Sequence, residues 1–135
     1  ALAMADLLAI AAGQDAAMRA AAAQAPAVLL LDTDPLMTAA WAEMLFGEVP
    51  AELLAYDKAD HYLLFAADVP WVEDGTRFFG TRAERARFAA LAEDMLLRTG
   101  VPFTRISGGW DEREAQARAA IEGLLRRDRT AITST

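Results

Sequence analysis

Ala27-Val28-Leu29-Leu30-Leu31-Asp32-Thr33-Asp34-Pro35 is the stretch that decides the fold. Five apolar residues without alternation have the pattern of a strand buried on both faces, as in a parallel sheet covered by helices. Asp34 followed by Pro35 is a helix start: a carboxylate that can bond the first free amides, then a residue with no amide to lose. A buried strand that gives way to carboxylates and then to a helix is one unit of an α/β fold. It places Asp32 and Asp34 where such folds hold their ligands, beyond the carboxyl end of a strand.

Outward from this unit the pattern repeats. Upstream, Leu2 to Gln24 is rich in Ala, Leu and Met and predicts a helix that Pro26 stops. Downstream, the helix from Pro35 carries Trp41, Leu45 and Phe46 and ends near Gly47, and a short helix is expected from Pro50 to Tyr56. His61 to Ala66 is the second apolar run, and Asp68 to Gly80 is a loop with proline, glycines and charges. Thr81 and Glu84 make a capping box before Phe88, Leu91, Ala92, Met95 and Leu96, and Gly100 closes that helix. Val101 to Ile106 is a third strand, Ser107-Gly108-Gly109 a turn, and Asp111 with Glu114 caps a last helix that runs through Leu125. The polar residues after Arg126 are expected to fray. Residues 1–127 form the domain in this reading, and 128–135 a tail.

Strands alternating with helices imply a parallel sheet with right-handed crossovers. Asp32-Thr33-Asp34, the 68–80 loop and Ser107 to Trp110 should then line one rim.

The bulk properties narrow the function. A chain of 135 residues, 55% apolar and 24% charged, is one ordinary globular domain. A net charge of -7 argues against a nucleic-acid surface. The absence of cysteine excludes disulfides and thiolate metal sites and fits a reducing, cytoplasmic setting, and the lone His61 excludes a multi-histidine zinc site. No apolar run has the length of a membrane span. The first residue is alanine and opens straight into a helix, so the chain is expected to be an internal piece of something longer.

Several residues could carry chemistry. Asp32 and Asp34 can orient a hydrated magnesium ion or grip ribose hydroxyls, or else Asp34 caps its helix and Asp32 bonds the turn. Trp71 lies in a charged loop, where an indole can stack on a cationic ring or anchor the loop. Trp110 could supply a second aromatic wall or pack as a staple at a helix entry. Arg77, Arg82, Arg85 and Arg87 have guanidinium forks suited to phosphate oxygens, although Glu73 and Glu84 offer them salt bridges. Arg77, beside Gly75 and off the helix, is the best placed to reach a ligand. His61 at a strand start suits a structural role, and Gln14 an exposed helix position.

Taken in order, these residues resemble the ATPase/kinase domain of NadR-type proteins, the ribosylnicotinamide kinase type. The resemblance runs from the Gly13-Gln14 helix to the last helix. It is carried by Leu31-Asp32-Thr33-Asp34 with Thr38, Trp71-Val72-Glu73-Asp74-Gly75-Thr76-Arg77, Gly80 with Arg85 and Phe88, and Val101-Pro102-Phe103. It implies a three-layer, P-loop-kinase-like parallel sheet flanked by helices, and transfer of phosphate from ATP, with Mg2+, to the ribose 5′-hydroxyl of nicotinamide riboside or a similar nucleoside. On that resemblance Asp32 ends a Walker-B-like strand and meets magnesium through water, and Asp34 lies near the ribose. Trp71, and less clearly Trp110, would bind the substrate ring, and Arg77, Arg82 and Arg85 form a lid over residues 73–88 that closes on phosphates.

One part of that machinery has no counterpart. The motif G-x-x-x-x-G-K-[ST] needs lysine after glycine, and the only lysine, Lys58, stands between Asp57 and Ala59. The family's phosphate-loop strand lies between the strands seen here as Ala27–Asp32 and His61–Ala66. Those two are therefore expected about 10 Å apart, with a gap between them. A domain without catalysis, which senses a nucleotide or docks a protein through its first helix, is the alternative, as is a kinase for another nucleoside.

Overall fold

The computed structural model describes residues 1–66, 81–127 and 130–134. The helices are α1 (Met4–Ala22), α2 (Pro35–Phe46), α3 (Ala51–Ala55), α4 (Arg82–Thr99) and α5 (Trp110–Leu125), and the strands β1 (Val28–Leu31), β2 (His61–Phe65), β3 (Phe103–Ile106) and β4 (Thr130–Ser134). All pairings are parallel, and the strand order is β1-β4-β2-β3.

The helix boundaries follow local chemistry. At the start of α2, Asp34 accepts a bond from the Met37 amide at 3.0 Å, and Pro35 takes the next position. Gly47 ends that helix at φ 68°, a left-handed conformation that only glycine adopts without strain. The Thr81 hydroxyl accepts from the Glu84 amide at 3.0 Å and donates to the Glu84 carboxylate at 2.8 Å, completing the cap of α4. The start of α5 differs from expectation. Its cap is Gly109 rather than Asp111: the Gly109 amide donates to Glu112 at 3.2 Å, and the helix begins at Trp110. Glycine has no side chain to bond the first turn, and the glutamate three residues on reaches back instead.

Alternation along β2 divides the core between the two faces of the sheet. Tyr62 and Leu64 point into the larger cluster, with Leu7 and Ala11 of α1, Leu36 and Met37 of α2, and Met95 and Leu96 of α4. Leu63, with Ile106, packs on the opposite face against Leu124 of α5, and Phe65 and Ile121 border them. The helix α2 is buried along most of its length between α1, α3 and α4, which is why it shows no polar face. The Gln14 side chain accepts from the Thr38 hydroxyl at 2.8 Å and ties α1 to α2, so Gln14 is a packing contact rather than an exposed residue. Trp41 of α2 meets Phe88 of α4 with ring centroids 4.7 Å apart.

The main departure lies at the carboxyl end of the chain. The strands β1 and β2 are not neighbours, as expected, but no gap separates them. Residues 130–134, where a frayed tail was expected, form β4 and fill it. The register pairs Leu31 with Thr133 on one side and Leu63 with Ser134 on the other. The physical reason is the cost of an empty slot: two strand edges facing each other across a core leave donors and acceptors unpaired at about 1–3 kcal/mol per group. A polar segment that would not form a strand alone is recruited to satisfy them.

Candidate functional site

Because all four strands are parallel, their carboxyl ends form one rim. Asp32 follows β1 there, Ala66 follows β2, and Ser107 to Trp110 follow β3. The helix α4 runs back from that rim, so its first turn, with Arg82 and Arg85, lies on the same side. Trp71 and Arg77, and with them most of the expected lid, lie outside the described residues.

The two aspartates after β1 have opposite surroundings. Asp32 is exposed to solvent. Asp34 is 0% exposed, and both its oxygens are engaged: one by the Met37 amide and the other by the hydroxyl of Tyr62 on β2. Tyr62 in turn accepts from the Ala59 amide at 3.3 Å. Burial pushes the Asp34 carboxyl above its ordinary range, and the bonds from Tyr62 and from the Met37 and Leu36 amides, with the Lys58 charge, pull it back only in part. The expectation that Asp34 lies at a ribose is thus corrected: it is a buried cap and cross-link, with no oxygen turned to solvent. A buried carboxylate must satisfy its lone pairs within the fold, and Tyr62 does so.

Arg82 is exposed and Arg85 half-buried at the start of α4. Arg87, one turn on, directs its guanidinium to the Met44 sulfur at 3.5 Å. Trp110 is 74% exposed, so it does not pack as a buried staple. The guanidinium of Arg113 lies 5.9 Å from its ring.

Arg113 is the residue that sequence reasoning passed over. Only 6% exposed, it donates from Nε to the Gly108 carbonyl at 2.9 Å and from a terminal nitrogen to the Ala66 carbonyl at 2.5 Å. It clamps the end of β2 to the turn after β3. A signal was present: a cation in the first turn of a helix opposes the helix dipole, so its reason must come from tertiary structure. Gln116 holds the same turn, accepting from the Ser107 amide at 3.0 Å and donating to the Ser107 carbonyl at 2.9 Å. With the Ser107 and Gly109 amides both engaged, this turn is a rigid support rather than an open anion cradle.

Beside it, a cavity of about 380 Å³ opens between α4 and the ends of β2 and β3. Ala86, Ala89 and Ala90 leave room for it on the helix side, facing Phe65 and Ala66. Its wall includes Arg105, which bonds Glu93 at 2.8 Å. His61 lies away from the rim at the start of β2, its Nε2 2.7 Å from the Thr104 hydroxyl, and burial and then the Arg127 charge lower its affinity for a proton. It serves the fold.

Among the described residues no group of three or more His, Cys, Asp or Glu could hold a metal ion directly. An exposed carboxylate at a strand end still fits a magnesium ion held through water, since that ion keeps most of its hydration shell. Asp32 meets that condition and Asp34 does not. No helix among the described residues is long and apolar enough to cross a membrane. A search of curated proteins finds no match. A family model described as an AAA domain matches residues 1–113, from α1 into the first turn of α5. That match includes the β1–α2 and β3–α5 junctions of the rim, and on it the chain belongs to the AAA domain family of P-loop NTPase-like, nucleotide-binding proteins.

Proposed function

We propose that this domain is the acceptor, magnesium and lid part of an ATP-dependent small-molecule kinase resembling ribosylnicotinamide kinase. The acceptor would be a ribose 5′-hydroxyl, and the setting the cytoplasm. The observation that carries the reading is the rim itself: Asp32 stands exposed at the end of β1, and the arginines of the first turn of α4 lie on the same side of the sheet. In this reading Asp32 orients a hydrated magnesium ion on the donor phosphates. Arg82 and Arg85, with Arg77, neutralise charge on the phosphoryl group in flight, the main catalytic demand of such transfers. Trp71 stacks on the pyridinium ring, and Trp110 offers a second exposed ring. The donor phosphates need a glycine-rich cradle that these 135 residues do not contain, so it would be supplied by residues outside them.

One observation favours a second reading. The slot beside Asp32 is filled by β4, which suits a domain that binds or senses a nucleotide without transferring phosphate.

The two readings part on a direct assay. Protein from the complete reading frame, given Mg-ATP and nicotinamide riboside or other nucleosides, should consume ATP in proportion to a phosphorylated nucleoside. Asp32→Asn should lower turnover by about 100-fold or more, the scale on which an electrostatic contact is lost. Trp71→Ala should weaken acceptor binding, and Arg77→Ala should lower turnover more than affinity. ATP binding without any phosphorylated product would leave the sensor reading standing and the kinase reading refuted.

A further inference from the structure

None of the residues that would bind substrate or transfer phosphate lines the cavity between α4 and the ends of β2 and β3. At about 380 Å³ it lies within the range of roughly 300–1,000 Å³ usual for small-molecule sites. Its shape has a local cause. Positions 86, 89 and 90 fall on one side of a helix, and with alanine at all three no side chain there is longer than a methyl group. Leu64 and Ala66 stand opposite. Leu91, Met95 and Leu96, on the other side of α4, are large and pack into the core. The space is thus left by side-chain size, and most of its surface is apolar.

Its charged groups sit at the two ends. Glu93, one turn beyond Ala89 and Ala90, accepts from Nε of Arg105 on β3 at 2.8 Å. That bond uses one carboxylate oxygen, and among the described residues the other oxygen and the outer guanidinium nitrogens have no hydrogen-bond partner. The pair therefore offers a ligand an acceptor beside donors, and it carries no net charge. At the other end Arg82, one turn before Ala86 on the same side of α4, is exposed and places a cation toward the rim. Arg82 and Glu93 are about 16 Å apart along the helix axis.

We propose that this cavity receives the uncharged base of a nucleotide, whose phosphates extend past Arg82 to the rim. The occupant follows from the charges. Adenine has apolar faces to lie against the alanines, and on one edge a ring-nitrogen acceptor beside an amino donor, the complement of Arg105 and Glu93. A cationic ring is disfavoured, because Glu93 is already neutralised by Arg105 and cannot offset the desolvation of a further charge. Phosphate is kept out of the apolar part for the same reason and belongs at the arginine. Asp32 follows β1, whose end lies two strand spacings, or about 10 Å, from that of β2, a gap that a sugar and phosphate chain can cross. That the nucleotide is the ATP donor rests on the function proposed above. On that reading charge sorts the two rings, the uncharged base to this cavity and the pyridinium to Trp71.

Titration of the 135-residue chain with adenosine, followed by amide NMR, tests this. The amides of Ala86, Ala89 and Ala90 should shift together and saturate, while those of α1 stay in place. Adenosine monophosphate should bind roughly fivefold more tightly, the scale of one exposed ion pair, and Arg82→Ala should remove that advantage. Ala89→Leu fills the cavity with a residue that suits a helix almost as well as alanine, and it should abolish the saturable shift. Ala86→Leu, at an exposed position, makes the same test if the first variant does not fold. The N-methylnicotinamide cation, a flat ring with a fixed positive charge, should leave these amides unshifted. Adenosine that causes no saturable shift overturns the proposal. So does a folded leucine variant that binds as before, a monophosphate that binds no better than adenosine, or a cationic ring that shifts the same amides as strongly. No phosphoryl transfer enters the experiment: adenosine binding beside a failed kinase assay keeps this site and loses the kinase, and the reverse loses only the site.

Discussion

Two strand-to-helix junctions stand on the same rim and are built in opposite ways. At β1–α2 the cap is a side chain of the junction itself, Asp34, and it is locked from below by Tyr62. At β3–α5 the cap is a glycine, and the junction is held from within the helix, by Glu112, Arg113 and Gln116 reaching back. The first buries its polar anchor and leaves Asp32 in water, and the second buries an arginine and leaves Trp110 in water. In each case one residue of a neighbouring pair fixes the backbone so that the other can be presented. A rim residue's usefulness to a ligand therefore depends on which of its neighbours has taken the structural task.

Removing the anchors should break the comparison most visibly. Asp34→Ala deletes a cap and takes away the carboxylate to which the buried Tyr62 hydroxyl donates, so it should cost about 2–4 kcal/mol, the sum of a lost cap and a lost buried hydrogen bond to a carboxylate. Denaturant unfolding followed by circular dichroism measures this, and a loss under about 1 kcal/mol would mean that Asp34 is not the lock described. Arg113→Ala should cost somewhat less, about 1–3 kcal/mol, since the Ala66 and Gly108 carbonyls sit at the rim, where water can replace part of the loss. In that variant exchange should rise at the β3–α5 turn and not at β1–α2.

The raised affinity of Asp34 for its proton predicts a pH effect with a definite sign. The folded state binds the proton more tightly than the unfolded chain, so this contribution is complete below the ordinary carboxyl value of 3.8 and is lost as pH rises through the higher folded value. The stability difference between the native chain and Asp34→Asn should therefore shrink as pH is raised across that interval. A difference that grows instead would place the carboxylate in a favourable charged environment and contradict its burial. The smallest effect belongs to the displayed residue. Trp110→Ala should change stability by no more than about 0.5 kcal/mol, as for other exposed positions. A larger loss would show that the indole serves the fold.

Much of the fold was legible in short windows. Asp34-Pro35, Thr81 with Glu84, Gly47 and Gly100 marked helix boundaries because each cap is a bond, or a backbone conformation, set within four residues. The three apolar runs became β1, β2 and β3, each starting or ending within two residues of expectation. The start of α5 was misplaced because Asp111-x-x-Glu114 and Gly109-x-x-Glu112 overlap, and local pattern does not rank them. Of the candidate site, the exposure of Asp32 and the rim position of Arg82, Arg85 and Trp110 follow from strand and helix order. The burial of Asp34 and the clamp made by Arg113 do not. Their partners are Tyr62, 28 residues away, and Ala66, 47 residues away.

By itself, the sequence determined the alternation of strands and helices, the parallel sheet it implies, the helix caps, and the missing phosphate-loop motif. Each of these is encoded in residues close together in the chain, where periodicity and backbone bonding have few alternatives. Tertiary structure alone decided that Thr130 to Ser134 would fill the sheet's centre, that Asp34 would be sealed while Asp32 stayed open, and that an arginine would close the rim. These outcomes turn on which distant groups are left unpaired once the core has formed. In a core that excludes water, an unpaired backbone group or carboxylate is costly enough to draw in a segment with little strand character of its own.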